Sequence, residues 1–358
     1  MSESTSFPNC STFSDSVMIS LIIPCYNVPE NQVALALESV RKQTFHDYEV
    51  IIVDDGSSKE YSEVLQRLCA ESKNIRLIQT ENRGVSAARN TGIAHAGGKF
   101  IAFLDADDVL ADDFMERALQ AAAETDADFV IGGMSIVTES PAEYKTPVRS
   151  SLPQYEQFTF ETFASLIPKL IAVKDRIYFP GGYISRGPCA RLIRTELAKN
   201  NLFDETLRIG EDIPWNLTLL GQCHRVCVVR ESWYGYWKNP NSASRRYDPG
   251  FIDACEKQLK TVASVIDASD DLIYCAYADR IYEHLYMSWG SCLRTEKKRN
   301  PEAYRTAVKR LYSCFPWCEV GSKRYYASVG SKRKLLIILY KLRLYYAVMA
   351  AKELCSLN

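Results

Sequence analysis

Residues 100–108 read Phe100-Ile101-Ala102-Phe103-Leu104-Asp105-Ala106-Asp107-Asp108: an unbroken apolar run, then a cluster of carboxylates. A short apolar run closed off by polar residues is the pattern of a strand buried on both faces. Two similar runs precede it. Ile19-Ser20-Leu21-Ile22-Ile23 stops at Pro24-Cys25-Tyr26-Asn27, and Tyr48-Glu49-Val50-Ile51-Ile52-Val53 stops at Asp54-Asp55-Gly56-Ser57. Shorter strands are expected at 75–79 and 129–131. Helical spacing covers 31–42, 60–71, 85–95 and 113–124. This alternation predicts an α/β fold with a mostly parallel sheet covered on both faces. Ligands bind such sheets outside the carboxyl ends of the strands. The three polar clusters are therefore expected to open on one edge.

The chain has 358 residues, with 43 Lys+Arg against 44 Asp+Glu and 47% hydrophobic residues. That is enough apolar material for a full core and too much for a disordered chain. A net charge of −1 argues against nucleic acid as a partner held by bulk electrostatics. Nowhere is there an apolar run of membrane-spanning length. The Ser-rich residues 1–16 read as a disordered tail without a signal core, so the expected compartment is the cytosol, with reduced thiols. Of the 12 cysteines, Cys223 with Cys227 and Cys314 with Cys318 have metal-like spacing. They lack the tighter paired knuckles of a zinc site and read as structural thiols.

Asp105-Ala106-Asp107 leaves its strand at the ligand edge. Like charges this close repel, which favours a cation beside them, and an all-oxygen set suits Mg²⁺ or Mn²⁺. An isolated D-x-D is usually a turn, but its place after a buried strand favours the metal reading. Asp55 can accept hydrogen bonds from a base or a ribose, or Asp54 to Ser57 can simply cap a turn. Tyr26 can stack on a base or fill the core. Asn82-Arg83-Gly84 through Arg89-Asn90 opens a helix; it suits an anion or nucleotide, and equally a solvated face. Glu211-Asp212 precedes Pro214: Asp212 is either a helix N-cap or a general base. No G-x-G-x-x-G follows the first strand and no G-K-[ST] occurs, so dinucleotide and P-loop readings lose support.

With these blocks in order, residues 18 to about 135 resemble the nucleotide-sugar-binding half of a family 2 glycosyltransferase, the inverting GT-A fold. The matching blocks are residues 22–27, 53–57, 82–90 and 103–108. The likeness continues through Phe203-Asp204-Glu205 and Ile209-Gly210-Glu211-Asp212. Residues 234–245 resemble the flexible loop that closes near the pyrophosphate. Arg191 departs from the Lys common in relatives. After the tail over 1–16, the resemblance implies a nucleotide-sugar-binding half over 17–135 and an acceptor-binding half over 136–250; residues 251–358 read as a helical C-terminal region outside the resemblance. It implies that Pro24, Tyr26 and Asp55 contact uracil. Arg89 would lie close to the base and Asp105 close to the ribose, with Asn27, Asn82 and Glu211 also on the nucleotide sugar. Asp107, with Asp105, would hold Mn²⁺ or Mg²⁺, and Asp212 would be the base.

The function expected from this resemblance is metal-dependent transfer of a sugar from a UDP-sugar to a hydroxyl of a growing surface glycan, free or lipid-linked. The alternative is a non-catalytic sugar-nucleotide-binding module of a synthesis complex. Between Lys323 and Lys352 lie basic residues without an acid, beside the apolar 335–339 and 342–349. A helix there would either touch the anionic inner face of the membrane or pack on protein.

Overall fold

The computed structural model describes residues 17–70, 72–147, 155–159, 162, 165–171, 177–238 and 247–349. The tail expected over 1–16 lies outside them. Strand β1 (Ile19–Cys25), helix α1 (Glu30–Arg41), β2 (Tyr48–Asp55), α2 (Lys59–Ala70), β3 (Ile75–Thr80), α3 (Val85–His95) and β4 (Phe100–Phe103) alternate as the sequence predicts. They form the parallel block β3-β2-β1-β4. The chain winds outward to β3, then crosses back so that β4 lies on the other side of β1. That reversal opens a crevice at the carboxyl ends of β1 and β4, the usual ligand position in such sheets. The register pairs Cys25 with Asp54 and Ile22 with Phe103, so the three polar clusters do leave the sheet at one edge. Pro24 sits past the last β4 pairing, where its missing N–H disturbs no ladder bond on that side.

Beyond β4 the pairing changes. Elements β5 (Val109–Leu110), α4 (Phe114–Thr125), β6 (Phe129–Val137), β7 (Tyr155–Thr159), α5 (Ile167–Ile171), β8 (Tyr178–Phe179), β9 (Gly182–Tyr183), β10 (Arg191–Arg194), α6 (Thr195–Asn200), α7 (Asp212–Leu220) and β11 (Arg225–Trp237) follow. Strand β10 is antiparallel to both β4 and β6, and β11 is parallel to β6 but antiparallel to β5 and β7. The continuous parallel block is thus the first four strands, and the sheet, 11-stranded among the described residues, is mixed. Around α5, residues 160–161, 163–164 and 172–176 lie outside the described set.

Strand β11 corrects a second expectation. Residues 234–237, assigned from sequence to a flexible loop, are its last residues, and Tyr234 is fully buried. Residues 239–245 of that loop lie outside the described set. Register shifts after Val228 and Ser232 break the alternation a straight strand would show.

Helices α8 (Phe251–Val265), α9 (Asp271–Ser288), α10 (Arg294–Arg299), α11 (Pro301–Ser313), α12 (Lys323–Ser328) and α13 (Ser331–Lys341) carry a second apolar cluster. It is rich in tyrosine, and several of the buried hydroxyls reach backbone carbonyls: Tyr277 donates to Leu259 O at 3.0 Å and Tyr340 to Leu311 O at 2.7 Å. Ile213 and Leu217 of α7 belong to this cluster, so the helical region grips the element that carries Asp212. Of the basic segment 323–352, residues 350–352 lie outside the described set, and the described part is not one helix: it breaks between α12 and α13. Arg324 pairs with Asp271, and buried Arg333 donates to Asp279 at 2.7 Å. Among the described residues no helix is long and apolar enough to cross a membrane.

Candidate functional site

At the end of β2, both oxygens of the buried Asp55 carboxylate accept backbone N–H bonds, from Arg83 at 2.9 Å and Gly84 at 2.8 Å. This clamps the loop before α3 against β2. Gly56 follows at φ 72°, where an added Cβ would lie 2.5 Å from Asn82 N. The loops therefore approach through a gap only glycine leaves open. Asn27, itself at φ 49°, donates its N–H to Ser57 Oγ at 2.9 Å and accepts from Ser58 N at 2.8 Å. Burial works against the Asp54 charge, but bonds from Ser57 and Ser62 outweigh it and hold its carboxyl below the ordinary range. Asn27 and Asp55 thus build the walls of the cleft. Asn82 lies exposed on its rim, Pro24 is half-buried, and Tyr26 is 53% exposed, which removes the core-aromatic alternative.

At the end of β4, Asp105, Asp107 and Asp108 face different partners. Asp108 turns inward: it accepts from Tyr234 Oη at 2.7 Å and from Trp237 N at 2.8 Å, tying β11 to the turn. The Asp105 N–H bonds Tyr234 Oη at 3.1 Å. Asp107 is half-buried, and burial together with the Asp105 charge pushes its carboxyl up.

Arg89 of α3 lies between two acids. It is buried, donating to Glu211 Oε1 at 2.8 Å and to Asp105 Oδ1 at 3.2 Å, with its guanidinium 5.4 Å from the Phe203 ring centroid. Burial opposes its charge, yet Asp105 and Glu211 hold its pKa above the ordinary value. The neighbouring Asn90 exchanges hydrogen bonds with the Phe203 backbone at 2.8 and 3.0 Å and reaches Glu205, which also pairs with Arg83. Phe203 in turn stacks on Trp215 of α7 at 4.1 Å between centroids. The 82–90 and 203–212 blocks, distant in sequence, are one packed unit. Arg89 is thereby an ion-paired strut rather than a solvated helix face.

Asp212 is the first residue of α7. No side-chain cap bond marks that helix start, and the N-cap position belongs to Glu211. The N-cap reading of Asp212 therefore falls. Its carboxyl is half-buried, and desolvation with the adjacent Glu211 pushes it up to about 6 against the pull of Arg280, Arg186 and Arg89. It shares a cavity of about 440 Å³ with Arg89, Asp105 and Glu211. The same cavity is lined by Tyr236 and Lys238, from the segment likened to the closing loop, and by Tyr183, Ser185 and Arg186, which the sequence did not single out. The Gly181-Gly182 and Gly187-Pro188 punctuation flanking 183–186 was the available signal. Ser185 is buried with an Oγ that has no partner among the described residues.

The metal expectation meets a two-carboxylate set. Among the described residues no group of three or more His, Cys, Asp or Glu side chains is arranged to hold an ion. Mg²⁺ and Mn²⁺ do not need one: one or two carboxylates, water and substrate phosphates suffice. The raised Asp107 carboxyl beside Asp105 is the electrostatic signature that a cation would relieve. Cys223 and Cys227 are buried, and burial pushes the Cys227 thiol up to about 11, as suits structural thiols.

The sequence pattern of the glycosyl transferase family 2 matches residues 20–197. The chain is 32% identical over 246 residues to the uncharacterized glycosyltransferase EpsJ of Bacillus subtilis (strain 168), covering 68% of each chain. It is 30% identical over 221 residues to the minor teichoic acid biosynthesis protein GgaB of the same organism, covering 61% of this chain but 22% of that protein. In fold it is similar to residues 1–349 of S. aureus TarS, crystallised with UDP-GlcNAc. The TM-score is 0.60 at 19% identity, covering 92% of this chain and 88% of that one.

Proposed function

The chain belongs to glycosyl transferase family 2 and is a glycosyltransferase, and we propose that it transfers a sugar with inversion from a UDP-sugar to a hydroxyl of a bacterial surface glycan, with Asp212 as the general base. The observation that carries this reading is the Asp212 carboxylate, raised to about 6 in the cavity that also holds the Arg89–Asp105–Glu211 cluster. A base poised near neutrality is ionised at working pH yet still accepts a proton readily. The acceptor oxygen forms the new bond to the anomeric carbon as its proton passes to Asp212. The bond from that carbon to the diphosphate breaks on the opposite face, and UDP leaves.

Tyr26 supplies a stacking face for uracil, while Pro24 and Asp55 shape the base pocket. Arg89 orients Asp105 toward the ribose. Asp105 and Asp107 would hold Mn²⁺ or Mg²⁺, which when bound offsets the charge of the leaving diphosphate. The UDP assignment draws on the TarS complex with UDP-GlcNAc, and the surface-glycan assignment on GgaB. Family membership removes the reason for the non-catalytic alternative. A peripheral position on the membrane is supported by exposed Leu335, Ile338, Leu342 and Leu344 beside exposed Lys332, Lys341 and Arg343.

The test is UDP release from a panel of UDP-sugars, with and without acceptor glycan, in Mn²⁺, Mg²⁺ or EDTA, for wild type and Asp107→Asn. Acceptor-dependent release that is lost in EDTA and weakened at least about tenfold in the variant is expected, since a charged oxygen ligand becomes neutral. Equal UDP affinity of variant and wild type in Mn²⁺ by calorimetry would sink the metal assignment. Absence of release from every UDP-sugar would sink the donor assignment.

A further inference from the structure

Arg191 is fully buried, yet among the described residues it forms no ion pair. It stands on β10, which is held on both sides by β4 and β6. An unpaired buried charge is costly, and an apolar side chain of similar length would ordinarily pack better there. Its hydrogen bonds lead to Ser185 on the cavity wall and to Asn216 on α7. Nη2 donates to Ser185 O at 2.7 Å and Nε to Asn216 Oδ1 at 3.3 Å, while Phe129 lies beneath the guanidinium at 5.7 Å. Asn216 is itself buried on α7, one turn after Asp212. Its amide donates to Asp212 O at 2.7 Å and to Arg186 O at 2.9 Å. One guanidinium and one amide therefore fasten three backbone carbonyls, two in the cavity loop and one at Asp212 itself.

We propose that Arg191 is a positioning residue for catalysis: through Asn216 and Ser185 it locks the 185–189 loop to the first turn of α7 and so fixes the Asp212 carboxylate against the cavity. This rests on the reading of Asp212 as the base. The geometry requires a fork. Arg presents several donors in one rigid plane, so it can serve Ser185 and Asn216 together, whereas Lys is a single flexible point charge. Burial lowers the Arg191 pKa to about 10, which leaves the guanidinium charged at neutral pH. The uracil end of the cleft is built by other residues, Asp55 and Asn27, and does not depend on this brace.

The experiment compares full-length wild type, Arg191→Met, Arg191→Lys and Asn216→Asp. Three readouts are taken: UDP affinity by calorimetry in Mn²⁺, kcat and KM for UDP release from UDP-GlcNAc, and amide hydrogen exchange. Asn216→Asp keeps the acceptor for Arg191 but removes the donor to the two carbonyls. In Arg191→Met and Asn216→Asp, kcat should fall about 10- to 100-fold, the usual result of a small misplacement of catalytic groups. UDP affinity should stay within about threefold, since the base pocket is untouched. Exchange should quicken at least about tenfold in 185–189 and 210–217 but not in β1 or α3. Arg191→Lys should recover only part of kcat. Exchange and kcat unchanged in Asn216→Asp would overturn the proposal even if Arg191→Met failed to fold. Parallel loss of UDP affinity and kcat with general loosening would overturn it in favour of a purely structural role. If wild type turned over no UDP-GlcNAc, the donor reading would be at fault, and the exchange pattern alone would decide the brace.

Discussion

Replacing Asp212 by Asn leaves the side-chain shape nearly unchanged and removes proton acceptance. A general base contributes typically about 10²- to 10⁴-fold, so transfer should fall by at least about 10² while UDP affinity stays near wild type. The same substitution has a stability signature with a definite sign. The Asp212 pKa is raised from 3.8 to about 6 by burial and Glu211. Its favourable contribution to folding is complete below the unfolded value and is lost as pH rises through about 6. At about 1.4 kcal/mol per unit, the ionised carboxylate costs the folded state on the order of 2–3 kcal/mol above that pH. Asn carries no charge to bury, so Asp212→Asn should melt higher than wild type at pH 8 and close to it near pH 4. The assay is UDP release with acceptor from pH 5 to 8.5, with melting curves at pH 4 and pH 8. Wild-type kcat should decline as pH drops through about 6, the limb of the ionised base. Full activity in the Asn variant, or wild-type activity flat across that range, would refute the reasoning. Equal melting at pH 8 would refute the burial argument separately.

Three other outcomes follow from the geometry. Gly56→Ala places a Cβ 2.5 Å from Asn82 N at φ 72°; it should cost about 1–3 kcal/mol in urea unfolding and weaken UDP binding more than a surface Gly→Ala control. Arg89→Leu strands Glu211 and Asp105; the loss of a buried ion-pair partner should cost about 3–5 kcal/mol, and a change under about 1 kcal/mol would show the cluster to be solvated. Removing the chain after Gly330 would strip buried Ile337, Tyr340, Tyr345 and Tyr346 from the core; reversing exposed Lys332, Lys341 and Arg343 to Glu tests the membrane reading instead. At about 1 kcal/mol per basic residue, that triple variant should lower partition onto anionic vesicles about a hundredfold, and unchanged partition would end the idea.

The first half of this protein was legible because each buried parallel strand is a continuous apolar run with a polar cluster at its end. Ile19 to Pro24, Tyr48 to Asp55 and Phe100 to Asp108 carry both the strand and the site edge in local sequence, and parallel winding brings their ends together. Asp212 was legible as a residue but not as a role, since a helix start suits a cap as well as a base. Only the tertiary structure removed the cap and placed Arg89, Asp105 and Glu211 in the same cavity. Local sequence left Arg89 open between a nucleotide contact and a solvated helix face because its partners lie 16 and 122 positions away. Ser185 and Arg186 were missed because they sit on a loop, where no hydrophobic period marks which side faces the ligand, and Tyr234 was placed in a loop because register shifts in its strand break the alternation. Arg191 read as a mere departure from Lys, and its meaning came from burial and from the carbonyls it holds. Sequence periodicity reports which face of an element is dry, because that is decided within a few residues. What a buried charge is paired with depends on contacts between distant segments, and those exist only once the chain has folded.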